Sequence, residues 1–473
     1  MSTCPMRWRM PEVIPHGGPR WLSRITRHRL TFMDQVAFEL HRLTGRNQLM
    51  QCVWVYDTEV DIEALQGMCD RIRTMRTYRL IEPSALPFGR PRWVRDDRSP
   101  LPVRIGETVL PRTALMAWAN THARTSIDPA TGPAWHVGLQ RFSDGTSAIS
   151  MVSSHVLFDG MYALNTVRLA IAKTPNASSY HARGERGRIA GWGADLGQAL
   201  LDVPRTVKAL GALAALVFPR TTSAEPVAPV AAPVLPADPD RIVEMPAATV
   251  VVDLAQWNAR ARALGGHSHA LLLAFCARLA LHQQRRRSTD GAVSLVIPID
   301  QRRDADDDRA LAMGFRTITL DPESVTDGIA PAQKALMAAL RGTAHQQDAT
   351  ETLLPVVPWM PGATTATLVN QLFRYDENRP VTCSNLGELP TQLGAADGTP
   401  CRMLLVRAVD VQVTLGELAR THGHLVIISS RHNGVLSICI EAYQPGAENS
   451  AERLRDIAIR TLEEFGLEGI VEC

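Results

Sequence analysis

The sequence predicts a mixed α/β protein built as two halves. Three observations carry this expectation. Apolar residues alternate along the chain between helical spacing and the runs or period-two patterns of strands. A Pro- and Ala-rich stretch, residues 221–239 with Pro226, Pro229, Pro233, Pro236 and Pro239, interrupts the alternation near the middle; it cannot sustain a helix and reads as an extended linker. The alternation then restarts. At about 150 residues per domain, a chain of 473 residues suits two large units or two to three ordinary ones. The expected division is 1–178 and 246–473, with 179–245 as crossover and linker.

Helical spacing first appears over residues 32–43. A strand follows at 49–56, rich in Val and aromatics, and a helix at 61–75, with Asp57 or Thr58 as cap signals. Residues 115–123 read as a helix. Residues 136–142 and 147–153 read as strands joined at Asp144-Gly145, a strong hairpin signal. Met161, Leu164, Val167 and Ile171 make one face of a helix over 160–172. Beyond the linker come a strand at 249–254, a helix at 269–282, strands at 293–299 and 316–320, and a helix at 331–341. Strands at 425–430 and 435–443 flank Asn433-Gly434. Asn449 or Ser450 can cap a last helix that stops near Gly466.

Composition narrows the function classes. Hydrophobic residues make up 45% and charged residues 21%, which excludes long disorder. A net charge of +2 argues against nucleic-acid binding, which needs many uncompensated phosphate contacts. The lysines are Lys173, Lys208 and Lys334, so nearly all the basic residues are arginines, as a GC-rich genome would give. The eight cysteines form no C-x-x-C pair, and several lie in apolar runs; they predict neither a disulfide scaffold nor a zinc site, and a reducing cytoplasm. No signal peptide is expected at the N-terminus. Residues Ala209–Phe218 are apolar nearly all round but about half the length needed to span a bilayer. They read as a buried crossover helix in preference to a membrane-surface segment, with peripheral contact at the inner membrane face as the rival. His267 and His269 lack a third ligand in sight, so no metal is expected. Arg285-Arg286-Arg287 reads as a solvated helix end, with the phosphates of a ligand or the acidic surface of a protein as the alternative partner.

Chemistry concentrates in Ser153-Ser154-His155-Val156-Leu157-Phe158-Asp159-Gly160, an H-x-x-x-D-G placed between a strand and a helix. Histidine titrates near neutrality, so His155 can take a proton from a hydroxyl or amine and return it. Asp159 can organise the turn through a buried ion pair. Gly160 is expected to allow a tight turn and a close approach by a ligand or strand. The deprotonated acceptor would attack a thioester carbonyl directly.

On these residues the chain resembles the superfamily of chloramphenicol acetyltransferase and nonribosomal-peptide condensation domains. Within it, the chain looks most like the wax ester synthase/diacylglycerol acyltransferase family and the polyketide-associated acyltransferases. The resemblance runs in order over roughly 30–465. It includes Phe32-Met33-Asp34, Val53 to Leu65, Asp128-Pro129 with Pro133 and Trp135, a P-x-x-x-R strand end in Leu295 to Arg302, and Ser384-Asn385-Leu386-Gly387. The family hallmark is H-H-x-x-x-D-G; His155 matches the second His, and Ser154 replaces the first, supporting one. His269-Ala270 stand where the family often carries Asn-Asp.

The resemblance implies two chloramphenicol-acetyltransferase-like subdomains in a V-shaped pseudo-dimer with an active-site tunnel at their interface. It implies His155 as general base, an Arg302 partner for Asp159, and Ser384 and Asn385 near the thioester and its oxyanion. It implies an acyltransferase that uses acyl-CoA or an acyl-carrier protein as co-substrate, with no other cofactor and no metal. The acceptor would be an alcohol or amine of a lipid or natural product. The alternatives are a free-standing, carrier-protein-dependent condensation enzyme that forms an ester or amide, and an inactive homologue that binds lipid or a partner.

Overall fold

The computed structural model describes residues 28–84, 86, 89–185, 191–193, 195–200, 203, 235–302, 307, 309–341 and 378–472. Ala209–Phe218 and most of the expected linker, 221–234, lie outside the described residues. In chain order the first half supplies α1 (Phe32–Thr44), β1 (Asn47–Tyr56), α2 (Ile62–Thr74), β2 (Arg79–Glu82), β3 (Arg92–Arg95), β4 (Val103–Ile105), α3 (Leu115–Ala123), β5 (Trp135–Arg141), β6 (Ser147–Ser154) and α4 (Gly160–Ile171). After residue 235 come β7 (Ile242–Val243), β8 (Ala247–Asp253), α5 (Leu254–Ala263), α6 (Ser268–His282), β9 (Val293–Asp300), β10 (Met313–Leu320), α7 (Ala330–Arg341), β11 (Val381–Glu388), β12 (Met403–Val411), β13 (Val413–Thr414), α8 (Leu415–Arg420), β14 (His424–His432), β15 (Val435–Tyr443), α9 (Ala451–Glu464) and β16 (Ile470–Glu472).

Local chemistry sets many of these boundaries. Thr31 and Asp34 form a reciprocal capping box at the start of α1, and Gly45 ends that helix at φ +73°. Asn433 and Gly434 both have positive φ, as a tight hairpin between right-twisted strands requires. Ser450 caps α9, its hydroxyl accepting from Arg453 N–H. Asp253 ends β8 and caps α5, a helix the apolar pattern leaves unmarked because few of its side chains are buried.

The strands form two main sheets. The first runs β12-β1-β6-β5-β4, and the second β10-β9-β11-β14-β15-β8-β16. One core lies on the first sheet with α2 and α4, including Trp54, Trp135, Leu157 and Phe158. The other lies on the second sheet with α6 and α9. Eight consecutive residues of α6, Ala270 to Ala277, are buried, so its uniform apolarity belongs to a core helix. Among the described residues no single helix is long and apolar enough to cross a membrane.

The division at 246–473 does not follow the sheets. Strand β12 leaves the second half and pairs antiparallel with β1 from Asn47↔Val411 to Val55↔Met403. Leu389, Leu393, Ala396, Cys401, Leu404 and Val406 pack into the first core. The physical reason is edge satisfaction: without β12, β1 would expose a row of unpaired backbone groups beside a buried face. Strand β12 also packs against β14 and β15, so it joins the two sheets.

Candidate active site

The H-x-x-x-D-G segment forms the turn from β6 into α4. Its backbone is held from several elements. His155 N–H donates to Gln48 O on β1 (2.8 Å), Val156 N–H to the Ser154 hydroxyl (3.2 Å), Leu157 N–H to Ser154 O (3.1 Å), and Asp159 N–H to Ala310 O (2.8 Å). Phe158 stacks on Trp135, with ring centroids 4.7 Å apart. The His155 side chain keeps partial exposure. Burial pulls its pKa below the usual imidazole value, against the opposing pull of the Asp159 and Asp410 carboxylates.

Asp159 caps α4 through Oδ1, which accepts from Tyr162 N–H (2.9 Å). Oδ2 accepts from Ala312 N–H (3.1 Å) and from the Arg302 guanidinium. The pair is largely buried, with side-chain exposures of 14% for Arg302 and 8% for Asp159. Arg302 also donates to Asp307 O and Arg309 O, and its guanidinium lies 4.4 Å from the Tyr162 ring centroid. Arg79, buried under Trp93 at 3.8 Å, donates to Leu157 O at 2.9 Å. Two arginines therefore brace one turn.

Ser154 is fully buried. Its hydroxyl donates to Asn47 Oδ1 at 2.7 Å while accepting from Val156 N–H. It closes the strand end and does not face solvent beside His155. Gly160 departs from its expected role. It is not in the left-handed region, so no tight glycine turn is needed. A Cβ there would stand 3.4 Å from Met50 and 3.5 Å from Leu386, ordinary contact distances.

That contact with Leu386 sets the Ser384-Asn385 segment against the turn. Ser384 and Leu386 share the face of β11 opposite buried Cys383 by strand alternation. Asn385 Oδ1 accepts from Gly387 N–H (3.0 Å) and from Ser429 (3.4 Å), fixing a bulge between Asn385 and Glu388. Its carbonyl group is thus committed to the loop.

Several residues at the site were not legible as such. Asp34 holds the segment before β10 by accepting from Leu311 N–H at 2.8 Å. At the seam between the sheets, Asp410 accepts from Arg46 (3.2 Å) and Gln48 (3.3 Å). His424 Nε2 lies 3.4 Å from Asp410 and 3.2 Å from Glu441, and Asp410 N–H donates to the Glu441 carboxylate. Burial pushes Glu441 up, whereas at Asp410 burial is outweighed by Arg46 and His424, which hold the carboxyl below its usual range. A signal was present: Arg407 and Asp410 interrupt an otherwise apolar run, and charged residues are rarely fully buried unless paired.

The remaining sequence candidates lie elsewhere in role. Arg285 is buried and donates to the carbonyls of Pro380, His422 and Thr421, so it is not a solvated helix end. Arg286 and Arg287 pair with Glu323 and Asp290. Burial, reinforced by Arg431, lowers His269 to about 4. Among the described residues, the one group of three ligating side chains with atoms within 4.8 Å of one another is Asp410, His424 and Glu441, which excludes His267 and His269 from such a cluster.

No family model matches the chain, and no curated protein matches it. Solved structures do. The first condensation domain of the calcium-dependent antibiotic synthetase, in complex with a substrate analogue, superposes with a TM-score of 0.55 at 13% identity, covering 93% of this chain and 95% of that one. The wax ester synthase/diacylglycerol acyltransferase from Marinobacter aquaeolei VT8 gives 0.53 at 14% identity, covering 92% and 98%. The nonribosomal peptide synthetase FmoA3 gives 0.52 at 16% identity, covering 97% of this chain and 46% of that one. The chain thus spans about half the length of that synthetase. At these identities the likeness shows a shared mixed α/β fold.

Proposed function

We propose that the chain is a condensation-type acyltransferase that moves an acyl group from a thioester to a hydroxyl or amine. The observation that carries the reading is His155, half-buried at the end of β6 on a turn braced by the Asp159–Arg302 pair, with Gly160 of the same turn set against Leu386 of β11. A depressed pKa keeps the imidazole neutral near pH 7, the form a general base needs. In the proposed step His155 takes the acceptor's proton as its oxygen or nitrogen bonds to the thioester carbonyl carbon. The tetrahedral intermediate then collapses, the C–S bond breaks, and His155 returns the proton to the departing thiolate. Ser384, whose hydroxyl makes no hydrogen bond among the described residues, is the proposed oxyanion donor, and Asn385 shapes the bulge that presents it.

The donor we favour is an acyl group on a carrier protein; the likeness to the first condensation domain of the calcium-dependent antibiotic synthetase and to the nonribosomal peptide synthetase FmoA3 supports it. Acyl-CoA is the second reading, supported by the likeness to the wax ester synthase. A metal is not part of either mechanism.

The test is thiol release from acyl-carrier protein and from acyl-CoA in parallel, acetyl to palmitoyl, with pooled alcohol and amine acceptors and products read by mass spectrometry. Acceptor-dependent release should fall by about 10²–10⁴-fold in His155→Ala. Release that survives the substitution removes His155 as the base. No release from any donor favours an inactive homologue that binds lipid or a partner.

A further inference from the structure

We propose that Asp410, gripped by Arg46 and Gln48 and backed by His424 and Glu441, is a positioning residue for His155 that ties the general base to the second sheet. The inference rests on reading His155 as the base, and it extends the site to a strand outside the sequence motif. Gln48 makes the connection. Its carbonyl accepts the His155 N–H at 2.8 Å, and its side chain donates to Asp410 Oδ2 at 3.3 Å. Gln48 and Asp410 stand directly opposite each other in the β1–β12 ladder, so one residue holds the base and the carboxylate in a fixed register. Asp410 in turn is anchored across the seam, because its N–H donates to Glu441 on β15 and its carboxylate meets His424 on β14.

The charges facing His155 come from two sides. Asp159, neutralised by Arg302, lies on its own turn. Asp410, paired with Arg46 and backed by His424 and Glu441, acts on it from β12, where Gln48 links the two. Both carboxylates oppose the loss of basicity that burial imposes on the imidazole. Asp159 is fully engaged by a cap, a backbone amide and a guanidinium. Asp410 is therefore the adjustable partner, through Arg46, which is 35% exposed. The cluster is not built for a cation: Arg46 already occupies Asp410 Oδ2, and both Glu441 oxygens face the Asp410 N–H.

The experiment follows the His155 ring resonances by NMR across pH in the full chain, assigned by their loss in His155→Gln, with thermal melts to monitor folding. Asp410→Asn should move the His155 midpoint to lower pH by about half a unit or more, because a nearby carboxylate favours the imidazolium. Arg46→Gln should move it the other way, because it removes the cation that offsets the Asp410 carboxylate. The acid limb of activity should shift with each midpoint. Unchanged midpoints in folded Asp410→Asn and Arg46→Gln overturn the proposal and leave Asp410 a structural pair. Should Asp410→Asn fail to fold, the Arg46→Gln shift alone decides: upward supports, none overturns. The ring titration does not depend on turnover, so a chain in which His155→Ala keeps activity refutes the base assignment separately.

Discussion

At the scale of single residues, the turn at His155 shows how burial and charge compete. Desolvation disfavours the imidazolium, and the Asp159 and Asp410 carboxylates restore part of its stability. The net direction is downward, so acidification protonates the imidazole only below its usual value of about 6.5. The acid limb of kcat/KM for acyl transfer is therefore expected below that value; a limb above it would mean that a different group is titrating. Ser154 permits a second prediction. It is fully buried, with its hydroxyl shared between Asn47 and Val156. Replacing it by the histidine that the resembling families carry would overfill the site. Ser154→His should cost about 1–3 kcal/mol in denaturant unfolding and should not raise activity.

At the scale of elements, the connection from β6 to α4 is a turn whose shape is imposed from outside. Arg302 arrives from beyond β9 and Arg79 from β2, and Tyr162 lies near both, at 4.4 and 5.5 Å from their guanidinium carbons. Arg302→Met would leave the buried Asp159 carboxylate with only its two amide donors. We expect a loss on the order of 3 kcal/mol of stability, as for other broken buried pairs. Arg79→Met would leave Leu157 O without its guanidinium donor and should cost about 1–3 kcal/mol. If both variants unfold like the wild type in urea, the brace is not what holds the turn. Among the elements legible in sequence, α1, α2, α4, α9 and the two hairpins at Asp144-Gly145 and Asn433-Gly434 owe it to a local apolar period, caps and turn residues. Some of those missed were short or weakly patterned, whereas β11 and β12 are strands of eight and nine residues whose pairing partners are remote in the chain. The β2–β3 hairpin is four residues a strand, and α5 buries only Trp257 and Ala261.

At the scale of the whole molecule, β12 makes the two sheets interdependent. It completes the first sheet on β1 and carries Leu404 and Val406 into the first core, while Asp410 meets β14 and β15. A fragment of residues 1–178 made alone should consequently expose the β1 edge and aggregate or bind a hydrophobic dye. Co-expression with residues 235–473 should restore a soluble complex. A stable, monomeric 1–178 fragment would show that β12 is dispensable to the first sheet.

The sequence by itself determined the class of fold, the order of most elements, and the residues of the turn: His155, Asp159 and Gly160 are adjacent in the chain, and the period of apolar side chains is a local property. It also supplied Arg302 as the partner of Asp159, through resemblance. The tertiary structure alone decided that Gly160 needs no special backbone, that Ser154 is a buried strand-end hydroxyl, that Arg285 braces carbonyls, and that Asp34, Arg79 and Asp410 hold Leu311, Leu157 and Gln48 around the turn. The reason is distance along the chain. Gln48 and Asp410 are 362 residues apart, and only strand register brings them opposite. Local propensity does not encode register between remote strands; the burial of two cores and the pairing of an otherwise open edge do.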